Sequence, residues 1–182
     1  MVEYVQTRMT SDEYWQQPET NQIEELIDGE LVMTPPPLDV HQKQSLTTLK
    51  FFIQTIQTGE LRHAPTGVHF EDGYDFEPDI FWIAPDNDHC MLAPDGRYWY
   101  GAPNLIVEIL SPSTAYRDRG IKFDTYQKHG VREYWLVDPE AAFIEVYRLE
   151  NGQFMRVGLF GAKQIFPSSV LGIDIQVDVL LA

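Results

Sequence analysis

The segment Asn104-Leu-Ile-Val-Glu-Ile-Leu110 is apolar on both of its predicted strand faces except for one carboxylate, Glu108. A strand that is apolar on both faces is typical of the middle of a covered sheet. An ionised carboxylate is costly in that position unless another group compensates its charge. A metal ion or a catalytic proton transfer is the usual reason for such a residue, and Glu108 is therefore the first candidate functional residue.

A second segment, Glu77-Pro-Asp-Ile-Phe-Trp-Ile83, has the composition of a strand and carries Asp79 at its start. Two carboxylates that face one cleft from the ends of strands can form a Mg²⁺ or Mn²⁺ site, because hard cations prefer oxygen ligands. Water held by such an ion can become a nucleophile. Asp79 and Glu108 are the pair on which the functional prediction depends.

The remaining segments predict a single domain, residues 1–182, of the α/β (α+β) class with a mixed central sheet flanked by helices. Asp28-Gly29 predicts the turn of an N-terminal hairpin over residues 23–33. Helices are expected at residues 10–15, at residues 39–58 and between Ser111 and Gly130. Further strands are expected at residues 61–70, 133–138, 143–149, 154–160 and 173–179, the last four forming C-terminal antiparallel strands.

Composition limits the classes of protein that the chain can represent. Apolar residues make up 43% of the chain, which is typical of a globular protein. The net charge of −15 is unusual for a protein that binds phosphate backbones. Five basic residues against two acidic ones in residues 117–132 predict one local basic face. The single cysteine, the absence of an apolar leader and the absence of about 18 consecutive apolar residues lead us to expect a cytoplasmic protein without membrane spans.

Several stretches together resemble the Uma-type restriction endonuclease family of the PD-(D/E)XK nuclease superfamily. Pro78-Asp79 matches the PD of the superfamily pattern, and Glu108 matches its (D/E). The stretches that resemble the Uma-type family are Glu25-Leu-Ile-Asp-Gly-Glu30-Leu, Glu77-Pro-Asp-Ile, Val107-Glu-Ile-Leu-Ser-Pro-Ser-Thr114, Lys122-Phe-Asp-Thr-Tyr126 and Gly130-Val-Arg-Glu-Tyr-Trp-Leu-Val-Asp-Pro139. The resemblance implies a restriction-endonuclease-like fold and Mg²⁺-dependent cleavage of DNA.

The resemblance also implies roles for individual residues. Asp79, Glu108 and the backbone carbonyl of Ile109 would bind the metal. Leu110 stands where the superfamily pattern has its lysine, so Lys122 would have to reach the site from the following helix. That reach is short if the helix begins near residue 117, but Lys122 lies about 14 Å further along the axis if it begins at residue 113. Supporting roles would fall to Glu30 as an additional acid, to His41 lining the cleft and to Tyr126 one helical turn after Lys122.

Each candidate also has an ordinary structural interpretation. Glu108 could face an edge of the sheet, and Asp79 could be a turn residue after proline. Lys122 could be a solvated helix residue paired with Asp118, and Tyr126 could belong to the core. The histidines lack the HxH or HExxH spacing of a zinc hydrolase, and no glycine-rich phosphate loop is present.

Three functional hypotheses follow. The first is a metal-dependent endonuclease that hydrolyses phosphodiester bonds of DNA as a homodimer, since two copies are needed to cut both strands of a duplex. The second is a catalytically silent nuclease-fold module for binding or assembly, favoured by the negative charge and by Leu110. The third is a metal hydrolase acting on a small phosphorylated substrate, which needs no basic groove.

Overall fold

The computed structural model describes residues 8–18, 20 and 22–181, and its chain forms two six-stranded sheets, a two-stranded sheet and four α-helices. The helices are α1 Ser11–Trp15, α2 Asp39–Thr55, α3 Ala115–Asp118 and α4 Ile121–His129, and a 3-10 helix spans Val177–Val179. The strands are β1 Ile23–Ile27, β2 Glu30–Thr34, β3 Glu60–His63, β4 Gly67–Phe70, β5 Tyr74–Phe76, β6 Ile80–Ile83, β7 Met91–Leu92, β8 Tyr98–Tyr100, β9 Leu105–Ile109, β10 Glu133–Asp138, β11 Phe143–Glu150, β12 Gln153–Gly161, β13 Ile165–Ser168 and β14 Ile173–Gln176.

The central sheet has the strand order β12-β11-β10-β9-β6-β3. Its β9 and β10 are parallel, whereas the other neighbours are antiparallel, so the sheet is mixed as predicted. The strand that carries Glu108 is an interior strand, and all five of its residues are buried. The apolar pattern of residues 104–110 therefore predicted its place in the sheet correctly.

The two faces of the central sheet pack against different layers. One face, which includes Val107 and Trp135, packs against α2 and the C-terminal segment. The opposite face, which includes Ile106 and Leu136, packs against α4 and the other six-stranded sheet, of order β2-β1-β5-β4-β8-β7. Because side chains alternate along a strand, Glu108 shares its face with Ile106 and so points towards α4.

The predicted N-terminal hairpin is present, with β1 and β2 paired on either side of Asp28-Gly29. Residues 61–70, however, do not form one strand. They divide into β3 and β4, which belong to different sheets, because a turn containing Pro65 separates them. Proline lacks the N–H that a continuous strand would need at this point.

The predictions of the two long helices were partly wrong. Helix α2 ends at Thr55 rather than at residue 58, and Leu46 and Ile53, predicted to belong to its apolar stripe, are exposed. The helix expected between Ser111 and Gly130 is two helices, α3 and α4, which meet at Arg119-Gly120. No helix within the described ranges combines the length and the apolarity needed to cross a membrane.

The core on the α2 face yields a test of the packing. Trp135 is fully buried, with Phe52 stacked on it at 5.6 Å between ring centroids and Phe166 edge-on at 5.1 Å. We expect Trp135→Ala to lower the free energy of unfolding by about 3–5 kcal/mol, because it leaves a cavity in the core. Leu46→Ala, at a residue that is 67% exposed, should change it by less than about 0.5 kcal/mol. Urea denaturation measures both, and equal losses would contradict this account of the core.

Candidate active site

Asp79 and Glu108 are neighbours across the pair β6 and β9. The strands are antiparallel with Ile80 opposite Val107, so the next position along the same register places Asp79 opposite Glu108. Each carboxylate accepts a hydrogen bond from the backbone of the other strand. The Asp79 N–H donates to Glu108 Oε2 at 3.3 Å, and the Ile109 N–H donates to Asp79 Oδ2 at 2.7 Å. The two predicted carboxylates therefore lie together on one face of the sheet.

Lys122 reaches this pair because the helix that follows β9 is interrupted. Gly120 precedes α4, and Lys122 is the second residue of that helix. Its Nζ donates to Glu108 Oε1 at 3.0 Å. The break between α3 and α4 thus removes the long axial separation that a continuous helix from residue 113 would have imposed.

The ammonium group of Lys122 is buried among carboxylates. Lys122 is 5% exposed, and besides Glu108 its Nζ lies 2.7 Å from Glu25 Oε1 and 3.6 Å from Asp118 Oδ1. Burial by itself lowers the pKa of Lys122, but the surrounding carboxylates outweigh it and hold the pKa well above its usual value. Lys122 is therefore a permanent cation inside the cluster, not a solvated helix residue.

Glu108 accepts hydrogen bonds from three groups around it. Its Oε1 accepts hydrogen bonds from Lys122 Nζ and, at 2.7 Å, from the hydroxyl of Tyr126, and its Oε2 accepts from the Asp79 N–H. Burial raises the pKa of Glu108, and Lys122 opposes that rise. Tyr126 is fully buried and orients Glu108 directly, whereas the sequence had suggested that it would support Lys122.

His41 enters the site from the first turns of α2. Its Nε2 lies 3.3 Å from Asp79 Oδ2, while its Nδ1 is buried without a partner among the residues that the structure describes. Burial lowers the pKa of His41, but hydrogen bonds and charge from Asp79, together with the backbone of Ile109, raise it overall. The predicted position of His41 in the cleft therefore agrees with the structure.

Glu30 does not reach the site. It is the exposed first residue of β2, directly after the hairpin turn, and it is not among the residues that line the cleft. The additional acid is Glu25, which is 2% exposed and which binds Lys122 and, through Oε2 at 3.2 Å, Arg117. Along β1, Glu25 shares a face with Ile23 and Ile27, and this apolar pattern was the signal that could have placed it on the inward face.

Two further residues that the sequence did not single out line the same cleft. Arg117 is 7% exposed, donates to Glu25 and to Thr34 Oγ1 at 3.2 Å, and has an Nε with no hydrogen-bond partner within the described part of the chain. Glu77 lies beside Glu25, and burial together with the charge of Glu25 raises the pKa of Glu77 to about 8. Neutral water therefore leaves Glu77 largely protonated.

The predicted basic face of residues 117–132 does not form. Arg117 and Lys122 are buried in the cluster, Arg119 pairs with Glu145 at 2.5 Å, and Lys128 pairs with Asp72 on the surface. Arg132 is exposed but lines a different cavity. Bases that are close in sequence thus point in different directions around two short helices and a strand.

The cluster opens into a cleft of about 350 Å³. Its lining includes residues 34–38, with Pro35, Pro36 and Pro37, and residues 111–114. Besides the largely neutral Glu77, the cleft is lined by four carboxyl groups and two bases, so acid is still in excess: Glu25, Asp79, Glu108 and Asp118 against Arg117 and Lys122. Such an excess attracts a cation.

The available oxygen atoms suit a hard divalent ion. Asp79 Oδ1 accepts no hydrogen bond from the residues described, and Glu108 Oε2 accepts only one. No group of three or more His, Cys, Asp or Glu side chains in residues 8–18, 20 and 22–181 forms a complete metal cage. The two carboxylates of Asp79 and Glu108 nevertheless suit Mg²⁺, which keeps several waters and is usually bound through only one or two carboxylates.

Measurements of stability can test whether Glu25, and not Glu30, is the additional acid of the site. We expect Glu25→Ala to lower the free energy of unfolding by about 3 kcal/mol, because Arg117 loses its carboxylate partner while it remains buried. The matched change Glu30→Ala removes an exposed carboxylate and should leave the urea midpoint unchanged. Similar midpoints for the two variants would show that Glu25 does not hold the cluster together.

Comparison with known proteins identifies the fold and the family of this chain. The structure is similar to the crystal structure described as "a putative nuclease belonging to DUF820 from Anabaena variabilis", with a TM-score of 0.75, 21% identity and coverage of 94% of this chain and 97% of that one. At that identity the likeness establishes the fold, which is of the restriction-endonuclease-like type. No curated protein is similar enough in sequence to count as a match. The family model described as "Uma2: Putative restriction endonuclease" matches residues 11–179, and the chain therefore belongs to the Uma2 family.

Proposed function

We propose that the protein is a Mg²⁺- or Mn²⁺-dependent endonuclease that hydrolyses phosphodiester bonds of DNA. The observation that carries the proposal is the convergence of two carboxylates and one lysine. Asp79 and Glu108 are linked by backbone hydrogen bonds in both directions, and Lys122 Nζ lies 3.0 Å from Glu108. Family membership and fold support a nuclease, and the metal and the substrate are our inference.

In this proposal Asp79, Glu108 and the carbonyl of Ile109 hold the metal ion. When bound, the ion supplies a water of lowered pKa and neutralises charge on the phosphate. The Lys122 ammonium offsets the negative charge that develops on the phosphoryl oxygens. Tyr126 and the Asp79 N–H keep Glu108 in one orientation, so little reorganisation is needed when substrate enters. His41 orients Asp79 from the other side.

The proposal also includes an oligomeric state and a cellular location. Cleavage of both strands of a duplex would require two copies of the site, and we therefore propose a homodimer. A buried, unpaired cysteine, Cys90, suits a reducing cytoplasm.

One observation favours the alternative of a catalytically silent binding or assembly module. Of the basic residues in 117–132 that were expected to contact DNA, two are buried, two are paired with acids and Arg132 lines a different cavity, so this segment provides no basic face beside the cleft. Against this alternative, a lysine does reach Glu108 even though Leu110 occupies the usual position. Metal binding and hydrolysis distinguish the two hypotheses.

Metal binding can be measured by thermal denaturation. Mn²⁺ should raise the melting temperature of the wild type, because a ligand that binds only the folded state stabilises it. Asp79→Asn and Glu108→Gln should abolish the shift. Asp124→Asn, which changes an exposed carboxylate on α4, should retain it. A shift of equal size in all four proteins would mean that the ion binds elsewhere.

The role of Lys122 can be separated from metal binding. We expect Lys122→Met to reduce the rate of phosphodiester hydrolysis by at least about 10²-fold at saturating Mn²⁺, because a cation aimed at the developing charge is lost. The Mn²⁺-induced thermal shift should remain, which also checks that the variant folds. Lys128→Met removes a surface lysine from the same helix and should keep wild-type activity. An active Lys122→Met enzyme would remove Lys122 from the mechanism.

A further inference from the structure

The proposed catalytic groups lie deep in the cleft, which limits the substrates that can reach them. Glu108 is 2% exposed, and the Asp79 side chain is 15% exposed. A phosphate must therefore enter the cleft to reach them. The volume of about 350 Å³ is near the small end of the range of ligand pockets, about 300–1,000 Å³, and has room for about one nucleotide.

The walls of the cleft restrict what can carry that phosphate. The proline segment, residues 35–37, and residues 111–114 both line the cleft. In a duplex the bases are paired and stacked, so one nucleotide can enter such a cleft only if it is first extruded. An unpaired strand has no such constraint, because its backbone bends freely between nucleotides.

The distribution of charge also argues against a duplex as the substrate. A duplex is normally held by many phosphate contacts with Lys and Arg. Here Arg117 and Lys122 lie inside the cleft, while Arg119 and Lys128 are paired with acids outside it. The cleft can therefore hold one or two phosphates, but the surface around residues 117–132 provides no continuous track for a duplex backbone.

An exposed aromatic residue next to Arg117, Tyr116, is suited to bind an unpaired base. Tyr116 is 72% exposed and is the one aromatic residue among the exposed large hydrophobic side chains of the described residues. Its ring centroid lies 5.9 Å from Cζ of Arg117, which lines the cleft. Arg117 Nε is buried without a hydrogen-bond partner in the described part of the chain, and it is the donor that a phosphate oxygen would satisfy. Stacking of bases on exposed aromatic rings is the usual means of binding single strands.

We propose that the cleft accepts single-stranded DNA, with Tyr116 stacking on a base next to the nucleotide that enters and Arg117 Nε binding a phosphate. This inference rests on the proposed hydrolase activity and defines its substrate. Single strands include unpaired stretches within longer DNA, so the activity remains endonucleolytic.

Three substrates test the proposal with wild-type protein and Mn²⁺: a single-stranded oligonucleotide, the same strand annealed to its complement, and the small ester bis(p-nitrophenyl) phosphate. We expect the single strand to be cleaved at least about tenfold faster than the duplex, because unpairing and unstacking cost a few kcal/mol per flipped base. A duplex cleaved as fast as the single strand would overturn the inference and leave the hydrolase intact. Failure to hydrolyse any of the three, the small ester included, would overturn the hydrolase and the inference with it.

A variant pair tests the stacking contact. Tyr116→Ala should raise KM for the single strand by about tenfold, whereas Tyr116→Phe keeps the ring and should remain within about twofold of wild type. Neither change should alter the Mn²⁺-induced thermal shift, which a general structural defect would weaken. Unchanged KM in Tyr116→Ala would remove Tyr116 from the binding site.

The salt dependence of binding gives an independent measure. Contact with one or two phosphates predicts a slope of about −1 for the logarithm of single-strand affinity against the logarithm of salt concentration. A basic track with six contacts would give a slope of about −4. The steeper slope would contradict the proposed mode of binding.

Discussion

The buried ammonium of Lys122 is the interaction on which the rest of the site depends. Three carboxylates, on β1, β9 and α3, approach it within 2.7–3.6 Å, and each is itself buried. Removing one partner from such a group typically costs about 3–5 kcal/mol, because the remaining charges have no access to water. The same contact therefore joins the N-terminal hairpin to the central sheet and keeps Glu108 in an otherwise apolar layer. Stability and the proposed chemistry draw on one set of charges.

Some parts of this arrangement could be predicted because they depend on short-range periodicity. The apolar run around Glu108 predicted an interior strand, and the register of β6 against β9 then brings Asp79 beside Glu108. Asp28-Gly29 predicted the hairpin from local turn chemistry alone. Other parts depend on contacts that local patterns do not encode. Whether the helix carrying Lys122 starts early or late is decided at Gly120, where the backbone of α3 ends and that of α4 begins.

Charge patterns in the sequence were the least informative about the surface. Five bases within residues 117–132 predicted a basic face, yet two of them are buried and two others have acidic partners from distant segments, Glu145 and Asp72. Likewise Glu30 seemed the additional acid because it follows the turn, whereas Glu25 is the residue that the strand directs inward. Sequence distance could not reveal these pairings, because each partner comes from a different element of the fold.

The displaced lysine follows from the layer structure of the domain. A residue two positions after Glu108 lies on the same face of the strand, and here that residue is Leu110, buried at 6% exposure in the core between the sheet and α4. Helix α4 covers this same face, so a lysine in its first turn approaches Glu108 from the direction that a lysine at residue 110 would have used. The apolar side chain of Leu110 packs in the core, and Lys122 on α4 supplies the positive charge beside Glu108. The proposed chemistry requires an ammonium group at one point in space, and the fold can supply it from whichever element packs over that point.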